Sequence, residues 1–388
     1  MVYLLAWTAN GIVLAIQECQ KSRSRLAAHC LLFVFAAIAF MRGDVGVDTV
    51  NYETMLRDLA GDYAWDGREP GFIALGWILV RVMPTEEVAV RAIGIVFFSL
   101  LALFVAKSER NERFLLLAYV LPAFAYHYSM NALRIGIGSA ILLLAVQQSR
   151  RRRGVLALSL GMGAILFHYS LAASVLIIGA TQRRWFRKTS LLALLSVGVG
   201  VGLIVLAMEF YVAEKVLLYT EARAPGELSG LSKVAPVVLL LIGVGLGRLR
   251  VNEKAKLMVV CGGSCVVGWI IARYSYAGLR LLDLVSFVAP LSILASYSRI
   301  GRSFDASLKA MVLIAGLLSA GLVYRGFLET RDEGLSPFLP YRLRQFEALS
   351  LPCRPAITGS SHPYGVDAGG CLNQAHGSGL EEAPFGAA

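Results

Sequence analysis

The chain has 388 residues, 57% of them hydrophobic and 16% charged, with a mean hydropathy of +0.64, whereas a soluble globular domain carries about 25% charged residues. That balance excludes an ordinary soluble domain. The net charge of +11 would suggest nucleic acid in a soluble protein, but it falls mostly in short connectors between apolar runs, where it reports topology, and no nucleic-acid partner is expected.

In chain order, spans are predicted near 2–16, 26–41, 88–106, 114–130, 131–148, 155–167, 169–180, 191–212, 233–248, 257–273, 280–297 and 310–324, about twelve in all. The first lacks a basic region ahead of its apolar stretch, so it is expected to be a span and not a cleavable signal. The run 70–83 is too short to cross about 30 Å of hydrocarbon comfortably and is predicted to be a re-entrant or interfacial helix. The runs 155–167 and 169–180 are also short and suggest a helical hairpin whose tip, at His168, is sunk below the surface. The loop 42–69, with seven acids and three arginines, is expected to be structured. A transmembrane domain is thus read over 1–345, and the Gly-, Pro- and Ser-rich segment 346–388 as a disordered tail. No repeat of 20 to 50 residues is visible.

Basic residues cluster at Lys21/Arg23/Arg25, Lys107/Arg110/Arg113, Arg150 to Arg153, Arg183/Arg184/Arg187/Lys188, Arg248/Arg250/Lys254/Lys256 and Arg299/Arg302/Lys309, which together hold more than half of the 37 Lys and Arg. The positive-inside rule places these connectors in the cytoplasm. The remaining connectors then face outward, toward the periplasm or cell exterior. They hold the unusual polar residues: Arg42, Gly46, Asp48 and Tyr52; Glu69 to Phe72; Tyr126, His127 and Tyr128; Asn131 and Arg134; His168 to Ser170; and the block from Arg273 through Tyr276 and Arg280 to Asp283.

An ionisable side chain within a membrane-length segment normally faces a cavity, a partner or a ligand. Arg134 and Arg280 have two readings: a structural one, as an ion pair with Asp48, Glu69 or Asp283 or by snorkelling to the outer headgroups, or a grip on a polyanion, for which planar guanidinium groups suit phosphate. His168 is either a buried imidazole bonded to a backbone carbonyl or an acid or base near neutral pH. The tyrosines and tryptophans fit an interfacial belt as readily as a site. Cys261 and Cys265, one turn apart without further ligands beside them, read as packing residues. Walker, HExxH and GxSxG motifs are absent from the sequence.

These blocks resemble the EpsG family of bacterial membrane proteins, related to the Wzy-type polysaccharide polymerases. The resemblance rests on Arg42-x3-Gly46-x-Asp48-Thr49-x2-Tyr52, Glu69-Pro70-Gly71-Phe72, Asn131-x-Leu133-Arg134-x-Gly136-Ile137, Phe167-His168-x-Ser170, Tyr276-x3-Arg280-Leu281-Leu282-Asp283 and a late Pro340-Tyr341, and covers about residues 1–345. Ile135 stands where the family pattern has glutamine.

The resemblance implies an all-α, GT-C-like glycosyltransferase of the inner membrane that joins undecaprenyl-diphosphate-linked repeat units on the outer face, into exopolysaccharide, capsule or O-antigen. An acceptor hydroxyl would attack the donor's anomeric carbon as undecaprenyl diphosphate leaves. Arg134, Arg280 and Arg42 would steady the leaving diphosphate, with Tyr52, Glu69, Asn131 and Tyr276 lining the substrate site. His168, then Asp48, are the candidate bases. No metal or other cofactor is expected, because arginines neutralise the diphosphate. Expected partners are the lipid-linked glycans, membrane lipids, a chain-length regulator and a flippase. Two other classes stay open: a flippase or exporter of lipid-linked sugars, which would place its site nearer the bilayer midplane, and an O-acyltransferase acting on the glycan.

Overall fold

A computed structural model describes residues 2–19, 25–43, 45–46, 48–61, 68–182, 230–328, 338 and 341, all within the unit Met1–Arg344. The span predicted at 191–212, the basic cluster at 183–188, Lys21, Arg23, Pro340 and the tail from 346 lie outside the described residues. Every regular element among the described residues is a helix.

In chain order these are α1 (Val2–Cys19), α2 (Leu26–Phe40), α3 (Thr49–Ala60), α4 (Pro70–Val82), α5 (Glu86–Ala106), α6 (110–131), α7 (Leu133–Arg150), α8 (Gly154–Phe167), α9 (Leu171–Thr181), α10 (Leu231–Leu246), α11 (Val251–Ala272), α12 (Tyr276–Arg299) and α13 (Ala306–Leu328). Helices α1, α5, α11, α12 and α13 are long and apolar enough to cross a membrane, while α2, α4, α8, α9 and α10 are shorter apolar helices. Large apolar side chains such as Leu5, Phe33, Leu103, Val259 and Leu317 are exposed on the helix flanks, where hydrocarbon is the compatible neighbour.

Local chemistry sets the helix ends. Thr85 Oγ1 accepts from the Val88 N–H at 3.3 Å, and Glu86 and Glu87 occupy the first turn of α5, where acidic groups meet the positive end of the helix dipole. Glu109 and Glu112 form a capping box at the start of α6. Pro122 follows a π segment at Leu116–Val120, and a second π segment, His127–Asn131, ends the helix. The wider π turns absorb the hydrogen bond that proline cannot make and re-aim the side chains after it. Only Ala132 separates α6 from α7.

The connectors sort to two ends of the bundle. At one end Arg25 bonds to the Ala106 and Ser108 carbonyls, Arg110 and Lys309 both pair with Glu18, Arg150 pairs with Glu109 and Glu112, and Arg302 bonds to the Arg248 carbonyl. This end gathers the basic connectors. Segments 46–52, 68–71, 127–134, 168–171 and 276–283 meet at the other end. The first leads into α3, a helix that charge alternation alone did not reveal, and α3 packs on α4 and α5. Glu69, directly before α4, meets His168 at this end, and α5 after it carries Arg91 into the electrostatic reach of Arg42.

Candidate active site

The first block folds around Gly46. Its φ of +115° is unfavourable for any side chain, and a Cβ there would stand 2.6 Å from the Met130 carbonyl oxygen. The turn therefore lies directly on the last π segment of α6, where Asn131 Oδ1 accepts from the Asp48 N–H at 3.1 Å. The next block closes in the same way: a Cβ on Gly136 would overlap the Tyr128 carbonyl oxygen, so glycine lets α7 double back tightly on α6. These contacts bring Tyr52 beside Asn131 and Arg134, from which it is far apart in sequence.

Glu69 is the centre of the cluster. It is 1% exposed, and its two carboxylate oxygens are divided between partners: Oε2 lies 2.7 Å from Arg134 Nη1 and Oε1 lies 2.9 Å from His168 Nδ1. Burial raises its ionisation range, but the hydrogen bond from His168 and the charge of Arg134 outweigh that and hold the carboxyl at about 2. An ionised carboxylate only accepts, so Nδ1 carries the proton and the His168 Nε2 lone pair is available to a substrate. Burial pulls His168 below its ordinary value, and the charges of Arg134 and Arg280 reinforce this against the opposing pull of Glu69. The imidazole is therefore neutral at physiological pH.

Arg134 also lies beside Tyr52, with its guanidinium carbon 6.0 Å from the centre of the ring. Tyr52 packs on Phe72 with ring centroids 5.7 Å apart, and the Tyr169 hydroxyl donates to the Arg68 carbonyl at 3.4 Å. These contacts hold both sides of the Glu69 position.

A second polar group lies beside the first. Lys233 pairs with Asp283, and His127 is within electrostatic reach of Asp283, Lys233, Asp48 and Arg280. Lys233 was hidden in the sequence at the start of an apolar run, whereas His127 stood among the unusual polar residues without a role of its own. The arginine pairing left open by the sequence falls on Glu69 for Arg134. Asp283 is instead paired with Lys233.

The other predicted site residues are placed differently. Arg42 is fully buried, with Tyr3, Arg91, Glu53 and Tyr341 within electrostatic reach. Tyr276, 41% exposed, begins α12 one turn before Arg280. Tyr126 and Tyr128, at 1% and 2% exposure, are core residues and not an interfacial belt: the Tyr126 hydroxyl donates to the Tyr3 carbonyl at 3.3 Å, and Tyr128 stacks on Phe124. Cys261 and Cys265 are buried free thiols packed in the core. Between α9, α11 and α12 runs an apolar groove of about 450 Å³ lined by Ala173, Leu176, Ile177, Val260, Val267 and Leu281. Leu281 directly follows Arg280, so the groove begins beside the polar cluster.

Fold and site together define an all-helical membrane protein with a buried carboxylate–histidine–arginine group at the end of its bundle opposite the basic connectors. The chain belongs to the EpsG family, which matches residues 26–343 and comprises membrane proteins of polysaccharide biosynthesis. No curated protein and no solved structure matches the chain.

Proposed function

We propose that the protein is a polysaccharide polymerase that transfers a glycan from one undecaprenyl-diphosphate carrier to the terminal sugar hydroxyl of another, on the outer face of the inner membrane. The observation that carries this reading is the Arg134–Glu69–His168 chain. It sets a neutral histidine, with Nε2 available, beside guanidinium groups suited to a diphosphate.

His168 Nε2 accepts the acceptor hydroxyl's proton as that oxygen bonds to the donor's anomeric carbon, and Glu69 stabilises the imidazolium that forms. The bond from the anomeric carbon to the diphosphate oxygen breaks, and its electron pair leaves with undecaprenyl diphosphate. Arg280 and the donors of Arg134 not engaged by Glu69 stabilise that growing charge. The apolar groove beside Leu281 suits the polyprenyl tail. In this reading the basic connectors are cytoplasmic, the short hairpin α8–α9 lowers His168 beneath the outer surface, and about twelve spans complete the domain. A chain-length regulator and a flippase would work beside it.

The test is reconstitution of the full chain with a purified lipid-linked repeat unit. Elongation without ATP or an acyl donor is expected, together with its loss in His168→Ala. Translocation without elongation would favour the flippase reading, and a requirement for an acyl donor would favour the acyltransferase reading.

A further inference from the structure

Two helices of the bundle contain a proline that leaves a carbonyl without its helical donor. Helix α12 runs unbroken from Tyr276 to Arg299 with Pro290 inside it, so the Ser286 carbonyl, four residues back, receives no backbone N–H. In α6 the Leu121 N–H bonds to the Leu116 carbonyl, five residues back, and in that register Pro122 leaves the Leu117 carbonyl open. Leu117, Pro122, Ser286 and Pro290 are all buried. A buried carbonyl left open is costly, so each break calls for a donor from a neighbouring element.

Side chains of adjacent helices supply both donors. Asn10 Nδ2 of α1 donates to the Leu117 carbonyl at 2.7 Å, and the Tyr119 hydroxyl of α6 donates to the Ser286 carbonyl at 3.0 Å. Tyr119 is fully buried and stands two residues after Leu117 in the same π segment, so Asn10 steadies the turn that presents the Tyr119 ring. On another flank a Cβ on Gly316 would stand 1.9 Å from the Ala118 carbonyl oxygen, which seats α13 directly on that turn. The turn is thus held from α1 and from α13 while Tyr119 reaches α12.

The break in α12 lies between the basic connectors and the site, about 10 Å along the helix from Asp283 and about 15 Å from Arg280. Phe287 packs on Phe124 and Tyr128 with ring centroids 5.3 and 5.8 Å apart. Those contacts hold α12 against α6 but leave the Ser286 carbonyl open. The Tyr119 bond closes it and ties the break to a fixed turn. We propose that Tyr119 is a positioning residue: its hydroxyl takes the place of the N–H that Pro290 lacks and, through Ser286, sets the angle at which α12 presents Arg280 to the leaving diphosphate. The role of Arg280 rests on the polymerase reading, whereas the link from Tyr119 to the direction of α12 does not.

The full-length wild type, Tyr119→Phe, Pro290→Ala and the double variant would be reconstituted with the purified lipid-linked repeat unit and compared per folded molecule. Tyr119→Phe should lower kcat about 10-fold with little change in KM, but cost less than about 2-fold on the Pro290→Ala background, where the backbone again donates to Ser286. Spin labels at Leu5→Cys and Tyr274→Cys, both exposed positions, in a cysteine-free background report the direction of α12 without any turnover. Their distance distribution should broaden in Tyr119→Phe and narrow again in the double variant. If Tyr119→Phe does not fold, the double variant decides, and it should fold and match Pro290→Ala. An unchanged kcat in folded Tyr119→Phe, an equal loss on both backgrounds, or a double variant that does not fold would overturn the positioning role. Absence of elongation in the wild type as well would overturn the polymerase reading, and the spin-label distances would still decide the link to α12.

Discussion

His168 Nδ1 lies 2.9 Å from Glu69 Oε1, across 99 residues of sequence, and this contact fixes which imidazole nitrogen faces a substrate. Because Glu69 is held at about 2, the carboxylate stays ionised over any pH at which a membrane enzyme is assayed. An acid limb in the activity profile is then expected from His168 and not from Glu69.

The sign of that limb follows from the histidine's surroundings. His168 ionises below its ordinary value of 6.5, so its base form prevails from there upward. Activity is expected to be flat through neutral pH and to fall as the pH drops through a limb below 6.5. Glu69→Gln removes the groups that raise the histidine while Arg134 and Arg280 remain, so its residual activity should show a limb at still lower pH. Elongation rate against pH at matched protein level is the measurement. A limb that moves upward in Glu69→Gln would refute the charge arrangement.

Arg134 has two tasks that a lysine separates. Lysine keeps the charge opposite Glu69 but lacks the planar fork, so Arg134→Lys should fold at normal levels, elongate about 10-fold more slowly or worse, and accumulate single-repeat lipid. Arg134→Ala should lose about 100-fold and also reduce abundance, because it leaves the buried Glu69 carboxylate without its strongest charge partner. Polymer length distributions and quantitative immunoblots read both. Wild-type polymer from Arg134→Lys would reduce Arg134 to a counter-ion.

Gly46 joins two blocks of the site through backbone contact alone. Gly46→Ala imposes a side chain on a φ of +115° and on the Met130 carbonyl 2.6 Å away, so a loss of at least about 2 kcal/mol is expected. Gly321, where an added Cβ would meet nothing within 4 Å, is the control, and Gly321→Ala should change stability by less than about 1 kcal/mol. Thermal unfolding of the purified proteins in detergent compares them.

Orientation is tested with single cysteines in a cysteine-free background. Tyr274, 77% exposed at the site end, should react as Tyr274→Cys with an impermeant maleimide in cells whose outer barrier is permeabilised. Arg152→Cys, exposed at the basic end, should react only after lysis. Labelling at position 152 in unlysed cells would reverse the topology.

The sequence by itself determined the helical class, most helix positions and the sorting of connectors. Apolar length and the side on which Lys and Arg fall are properties of contiguous residues, and the bilayer reads them locally. It also singled out Glu69, Arg134 and His168, because ionisable groups beside apolar runs stand out by their cost. Helix α3 escaped that reading because its polar face and short length carry no membrane signal. Only the tertiary structure decided the pairings. It divided one carboxylate between Arg134 and His168, set Lys233 and His127 beside that group, and buried Arg42, Tyr126 and Tyr128. Those outcomes depend on how α6 and α7 fold back on each other at Gly136 and on how α3 packs on α4 and α5, which are long-range packing choices that no local pattern encodes.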